Sequence, residues 1–126
     1  MIVSEPTFRE KFLAALDAHV AAHGVPGSVT GPGRSGAVAS VYASHHLGVP
    51  WIPYDCASWG AHGGYGLPMP ILVVDTASGT GKTMRRARRL TGSPWPGVVA
   101  FSEPPVRRFW YERAALATQE RPHATP

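Results

Sequence analysis

Apolar side chains recur at helical spacing over residues 6–22, where Phe8, Phe12, Leu13, Leu16 and Val20 share one face. Thr7 followed by Glu10 has the form of a capping box, Gly24 suits a left-handed C-cap, and Pro26 blocks continuation. A short β-prone stretch, Ser28-Val29-Thr30, leads into the turn-rich run Gly31-Pro32-Gly33-Arg34-Ser35-Gly36. An Ala- and Val-rich helix over 37–47 follows, ended by Gly48. Residues 49–54 read as a second short strand, which two prolines place at an edge.

Residues 56–68 are glycine-rich without apolar period, which predicts a mobile loop of functional length. The continuous apolar run at 69–74 predicts a parallel strand buried on both faces. A helix over 80–90, a buried strand over 97–101, a final strand or extended segment over 106–111 and a disordered tail at 121–126 complete the pattern.

Strands alternating with helices predict an α/β fold, a mostly parallel, Rossmann-like sheet with helices on both faces. Residues 1–126 then form one domain: an N-terminal helix (1–24), a core (25–101), a small hood or dimer segment (102–120) and a tail (121–126). Both glycine loops fall at the carboxyl edge of the sheet, where such folds bind ligands.

Composition narrows the function. A chain of 126 residues with 44% hydrophobic positions builds one core. Gly (14) and Pro (13) are abundant and charged residues scarce at 16%, so shaped loops carry the chemistry. Net charge of +4 and a pI near 9.7 favour anionic partners. The single cysteine, Cys56, makes no internal disulfide and has no zinc-ligand spacing around it, so it reads as a small semi-buried hydrophobe. No apolar run approaches the roughly 20 residues of a membrane span, and the opening residues lack the order of a signal peptide, so the expected location is cytoplasmic.

The richest chemistry lies in Ile71-Leu72-Val73-Val74-Asp75-Thr76-Ala77-Ser78-Gly79-Thr80-Gly81-Lys82-Thr83. An apolar strand ends in an acid, and a hydroxyl- and glycine-rich turn then opens a helix. Helix N-termini offer unpaired N–H groups and partial positive charge, and glycine lets the backbone approach an anion. Gly81-Lys82-Thr83 matches the end of a Walker A loop, but that pattern needs glycine where this chain has Thr76.

This segment resembles the signature of the type I phosphoribosyltransferases: four apolar residues, two acids, three variable residues, then Thr-Gly-any-Thr. Ile71 to Val74, Asp75 and Thr80-Gly81-Lys82-Thr83 match, and Thr76 stands in place of the second acid. Upstream, GPGRSGAVASVYASHHLGVP is similar to the family's diphosphate loop, with Gly33, Arg34, Ser35 and Gly36 at the turn. The two matches cover roughly residues 25 to 101.

The resemblance implies transfer of ribose 5-phosphate from phosphoribosyl diphosphate to a nucleobase or other nitrogen acceptor, with Mg²⁺ present and a homodimer as the working form. It makes Asp75 the catalytic residue, bound to ribose hydroxyls. Thr76, Ala77, Ser78, Gly79, Thr80, Gly81, Lys82 and Thr83 would wrap the ribose 5-phosphate, and Gly33, Arg34, Ser35 and Gly36 the diphosphate. Residues 56–68 would close over the reaction. Mg²⁺ would be held by ligand oxygens and water, with Asp75 the one candidate protein ligand. Phe109, Trp110 and Tyr111 stand where the family places nucleobase contacts. The 6-oxopurine members carry an Asp at the position of Gly79, so the match points away from close hypoxanthine-guanine relatives.

Two other classes stay open: a non-catalytic domain that binds phosphoribosyl diphosphate or a nucleotide and reports it to a partner, and, ranked last, a nucleic-acid binder using Arg85-Arg86-Ala87-Arg88-Arg89. That run also reads as a solvated helix face. Adjacent His45 and His46 point to different sides of a helix and make a poor metal pair. His62 and Asp55 are secondary candidates, reaching substrate on closure or meeting Mg²⁺ through water.

Overall fold

The computed structural model describes residues 2–63, 66–102 and 108–112, with the backbone alone at 60–63. The described elements run β1 (Ile2–Val3), α1 (Glu5–His23), β2 (Ser28–Thr30), α2 (Gly33–Leu47), α3 (Tyr54–Gly63), β3 (Ile71–Ala77), α4 (Lys82–Thr91), β4 (Val98–Phe101) and β5 (Arg108–Phe109). The expected tail at 121–126 and most of the expected hood lie outside these residues.

Helix α1 begins earlier than its apolar pattern implies. Ser4, extended at φ −77°, is the N-cap: its Oγ accepts from the Thr7 N–H at 3.4 Å, while Pro6 occupies the first turn. At the other end the Gly24 N–H donates to the Val20 carbonyl at 2.7 Å. Phe8, Phe12 and Leu16 are fully buried along the inner face.

Strands β2, β3 and β4 form a parallel sheet in that order, with Val29 opposite Leu72 and Val74 opposite Val98. The sheet is covered on both faces, as the unbroken apolar run predicts. Side chains alternate across a strand. Leu72 and Val74 therefore join Phe8, Phe12, Leu16, Ala39 and Ala43 in the core beneath α1 and α2, while Val73 meets Met84 and Ala87 beneath α4. A second, two-stranded parallel sheet pairs Ile2 with Arg108 and Val3 with Phe109, bringing residues 108–112 beside the start of α1. Phe109 meets the Phe8 ring edge-on at 6.1 Å.

Three sequence expectations are revised. The strand expected at 49–54 shrinks to one bridge between Trp51 and Val29, because Pro50 and Pro53 have no N–H to donate and Tyr54 already starts α3. Most of the expected loop at 56–68 is α3. Asp55 sits in its first turn, where a negative charge suits the helix dipole, and Ala57 is fully buried. The helix packs along α4, and that contact outweighs the low helix propensity of Gly60 and Gly63. Finally, α2 begins at Gly33, so Gly33, Arg34, Ser35 and Gly36 form its first turn.

Candidate functional site: two open helix ends at the sheet edge

From β2 the chain crosses to Trp51, outside β2, whereas from β3 it crosses through α4 to β4 on the opposite side. The strand order therefore reverses between β2 and β3, and the carboxyl ends of these neighbours define the switch-point crevice of an open α/β sheet. Two turns frame it: one joins β2 to α2, the other β3 to α4.

In the first turn the backbone is drawn tight. A Cβ on Gly31 would collide with the Gly36 carbonyl and lie 2.6 Å from the Val74 carbonyl oxygen, so only glycine lets α2 sit this close to β3. Pro32 is the N-cap and offers no side-chain acceptor. The Gly36 N–H donates to the Pro32 carbonyl at 3.1 Å, closing the first helical turn. The N–H groups of Gly33, Arg34 and Ser35 precede that bond and have no acceptor within the helix. Arg34 adds an exposed positive charge to the same turn.

The second turn is prepared by β3, which runs on through Asp75, Thr76 and Ala77. The Ser78 N–H donates to the Phe101 carbonyl at 2.8 Å and fixes the exit from the strand. Gly79 and Thr80 are exposed, and Gly81 caps α4 in the left-handed conformation, φ 79°, without a side-chain acceptor. Thr80 Oγ1 accepts from the Lys82 N–H at 3.3 Å, and the Arg85 guanidinium donates to the Thr80 carbonyl at 3.1 Å. Lys82 and Thr83 are exposed on the first turn of α4. Each turn is thus an uncapped helix end with an adjoining cation, an arrangement suited to an anion.

Asp75 lies between them. Burial pushes its carboxyl up to about 6, against the opposing effect of the Thr76 N–H, which donates to Oδ1 at 2.7 Å, and of the Thr76 hydroxyl. Thr76, in the place of the signature's second acid, is itself only 2% exposed. Burial raises the phenol of Tyr111, and Ser35 and Thr76 ease it back. The Tyr111 hydroxyl donates to Ser35 Oγ at 2.6 Å.

The three candidate aromatics therefore separate. Phe109 is buried in the core, and Trp110 packs on Phe8 at 5.6 Å. Tyr111 lines a cavity of about 410 Å³ with Pro32, Gly33, Arg34, Ser35 and Glu112. On the other flank of Pro32, a cavity of about 360 Å³ is lined by Tyr54, Lys82, Thr83, Arg86 and Leu90. Tyr54 carries no local sequence signal, and Arg86 reads in the sequence only as part of the basic run; the packing of α3 on α4 brings the two together. Asp55 lines a third, apolar cavity of about 480 Å³ with Cys56, Trp59 and Leu67. The His62 side chain lies outside the described residues, and Cys56 is exposed. His46 Nε2 is held by Asp17 at 2.7 Å, on the α1 side.

A parallel sheet covered by helices on both faces, opened by two glycine turns at its switch point, is an α/β architecture found in phosphoribosyltransferases. Among solved structures the chain is similar in fold to the Helicobacter pylori xanthine-guanine-hypoxanthine phosphoribosyltransferase: the match covers 94% of this chain and 97% of that one, at a TM-score of 0.64 and 16% identity. No family model and no curated protein matches the chain by sequence. At this identity the likeness is one of fold. No helix among the described residues is long and apolar enough to cross a membrane.

Proposed function

We propose that the chain is a phosphoribosyltransferase that moves ribose 5-phosphate from phosphoribosyl diphosphate to a nucleobase or similar nitrogen acceptor in nucleotide salvage. The observation that carries this reading is the pair of uncapped helix ends, α2 and α4, opening on one crevice with Asp75 between them. A ligand with two separated phosphate groups joined by a sugar suits that spacing of donors and acid better than a single anion does. The shared fold supports it.

In the reaction the acceptor nitrogen forms a bond to the anomeric carbon as the carbon–oxygen bond to diphosphate breaks. The diphosphate leaves with the bonding electrons, and the acceptor nitrogen gives up its proton. Negative charge grows on the leaving group, where Arg34 and the first-turn N–H groups of α2 stabilise it. The Ser78 to Thr83 turn holds the 5′-phosphate, and ionised Asp75 accepts from ribose hydroxyls. Asp75 brings its carboxylate to the end of β3, between the two turns. That donor fits Mg²⁺ bound mainly through ligand oxygens, with Asp75 as its protein contact. When bound, Mg²⁺ neutralises diphosphate charge. Because Gly79 replaces the acid of 6-oxopurine enzymes, the acceptor is not taken over from the structural neighbour. A cytoplasmic homodimer is part of the reading, with sedimentation as its check.

The test is diphosphate release from phosphoribosyl diphosphate and Mg²⁺ with a panel of purine and pyrimidine bases, with Asp75→Ala as control. Base-dependent release lost in the variant is the expected result. One observation favours a second reading, a regulatory domain that binds the ligand without turnover: Thr76 is turned inward, which leaves Asp75 without an acidic neighbour toward the sugar. Saturable binding without release for any base would select that reading.

A further inference from the structure

Tyr111 belongs to neither turn, yet its hydroxyl reaches the first of them, donating to Ser35 Oγ in the first turn of α2 at 2.6 Å. The ring is held by other means. It stacks on Phe109 at 5.8 Å and 19°, and meets Trp110 edge-on at 5.0 Å. The Trp110 N–H in turn donates to the Val3 carbonyl at 3.0 Å, anchoring the segment to β1. Removing the hydroxyl therefore leaves the packing intact and removes only the bond to Ser35.

We propose that Tyr111 is a positioning residue: its hydroxyl ties Ser35 and the open end of α2 to the segment anchored on β1 and β5, so that the first turn meets the diphosphate of its ligand in a fixed orientation. This rests on the function proposed above and departs from the nucleobase-stacking role implied by the position of Tyr111 in the sequence. The serine has a specific part in it. With its oxygen accepting from Tyr111, the Ser35 hydroxyl keeps its own proton to donate outward, and a donor chain from phenol to serine to phosphate strengthens each bond in it. Without the phenol, Ser35 is free to rotate and the first turn of α2 loses its tie to the β1–β5 pair.

The experiment is titration calorimetry of inorganic diphosphate and of phosphoribosyl diphosphate, each with Mg²⁺, into wild type, Tyr111→Phe, Ser35→Ala and the double variant. Initial-rate kinetics with the best acceptor base and a melting curve for each protein accompany it. We expect each single variant to weaken diphosphate and phosphoribosyl diphosphate binding by roughly 2- to 12-fold, the range of one neutral hydrogen bond. The double variant should be no weaker than the worse single one, the acceptor KM unchanged and the melting temperature retained. Tyr111→Phe keeps the ring, so a change confined to the acceptor KM, or no change at all, overturns the proposal. Additive losses in the double variant overturn it as well, since the two hydroxyls would then act independently. Failure of the wild type to bind either probe would overturn the proposed function together with this inference, whereas unaltered binding in the variants would overturn this inference alone.

Discussion

At Asp75 the fold works against its own ionised side chain. Burial lifts the carboxyl from 3.8 to about 6, so between those values the folded chain holds a proton that the unfolded chain has released. Stability from this group is therefore full below about pH 4 and is lost as pH rises through about 6. Each pKa unit corresponds to about 1.4 kcal/mol, which makes the loss at neutral pH about 3 kcal/mol. Asp75→Asn, uncharged throughout, is expected to be more stable than wild type by about that much at pH 7.5, the gap closing toward pH 4. Urea midpoints across the range measure it. A strand end tuned for folding alone would not keep this acid. Its place at the crevice fits the role proposed for it, in which ribose hydroxyls would replace the water that burial removed.

Among the elements, α4 shows how a charge run divides its labour. Arg85 reaches back to the Thr80 carbonyl, while Arg88 reaches forward from the last turn, its Nε to the Ser93 carbonyl at 3.3 Å and its Nη2 to the Pro94 carbonyl at 3.0 Å. Arg88→Ala is expected to lower stability by about 1 kcal/mol. Arg89→Ala should stay within roughly 0.5 kcal/mol of wild type, as surface substitutions do, and chemical denaturation separates the two. The arginines thus read better as supports of the turn and the C-cap than as a nucleic-acid face. Legibility in the sequence follows the same line. Strand β3 and the turn after it were readable because an apolar run and its punctuation are adjacent in the chain. Helix α3 was not, since its glycines argue against helix and its stability comes from α4, some 25 residues on. Strands β1 and β5, two residues each, are too short to show a period, and the tie between Tyr111 and Ser35 spans 76 positions.

For the molecule as a whole, the far flank from the crevice carries a second pH response, opposite in sign. His19 packs edge-on against Trp95 at 4.9 Å and lies 4.8 Å from the His23 ring, and burial, then the neighbouring His23, lower its pKa below 6.5. Below 6.5 the unfolded chain takes up a proton that the folded chain resists, so stability falls as pH drops through the folded value. Between pH 7 and pH 5, His19→Gln should shift the urea midpoint upward on acidification relative to wild type, whereas Asp75→Asn, which removes the opposing gain, should shift it downward. The β1–β5 pairing bears on a different matter, the order of events during synthesis. Ser35 leaves the ribosome early, and its partner Tyr111 follows only after β2, β3 and β4 have all been made. The sheet and its helices can therefore assemble before Tyr111 reaches Ser35, and a translation product halted just after β4 would hold the three-stranded sheet while the first turn of α2 still lacks its tie to the β1–β5 pair.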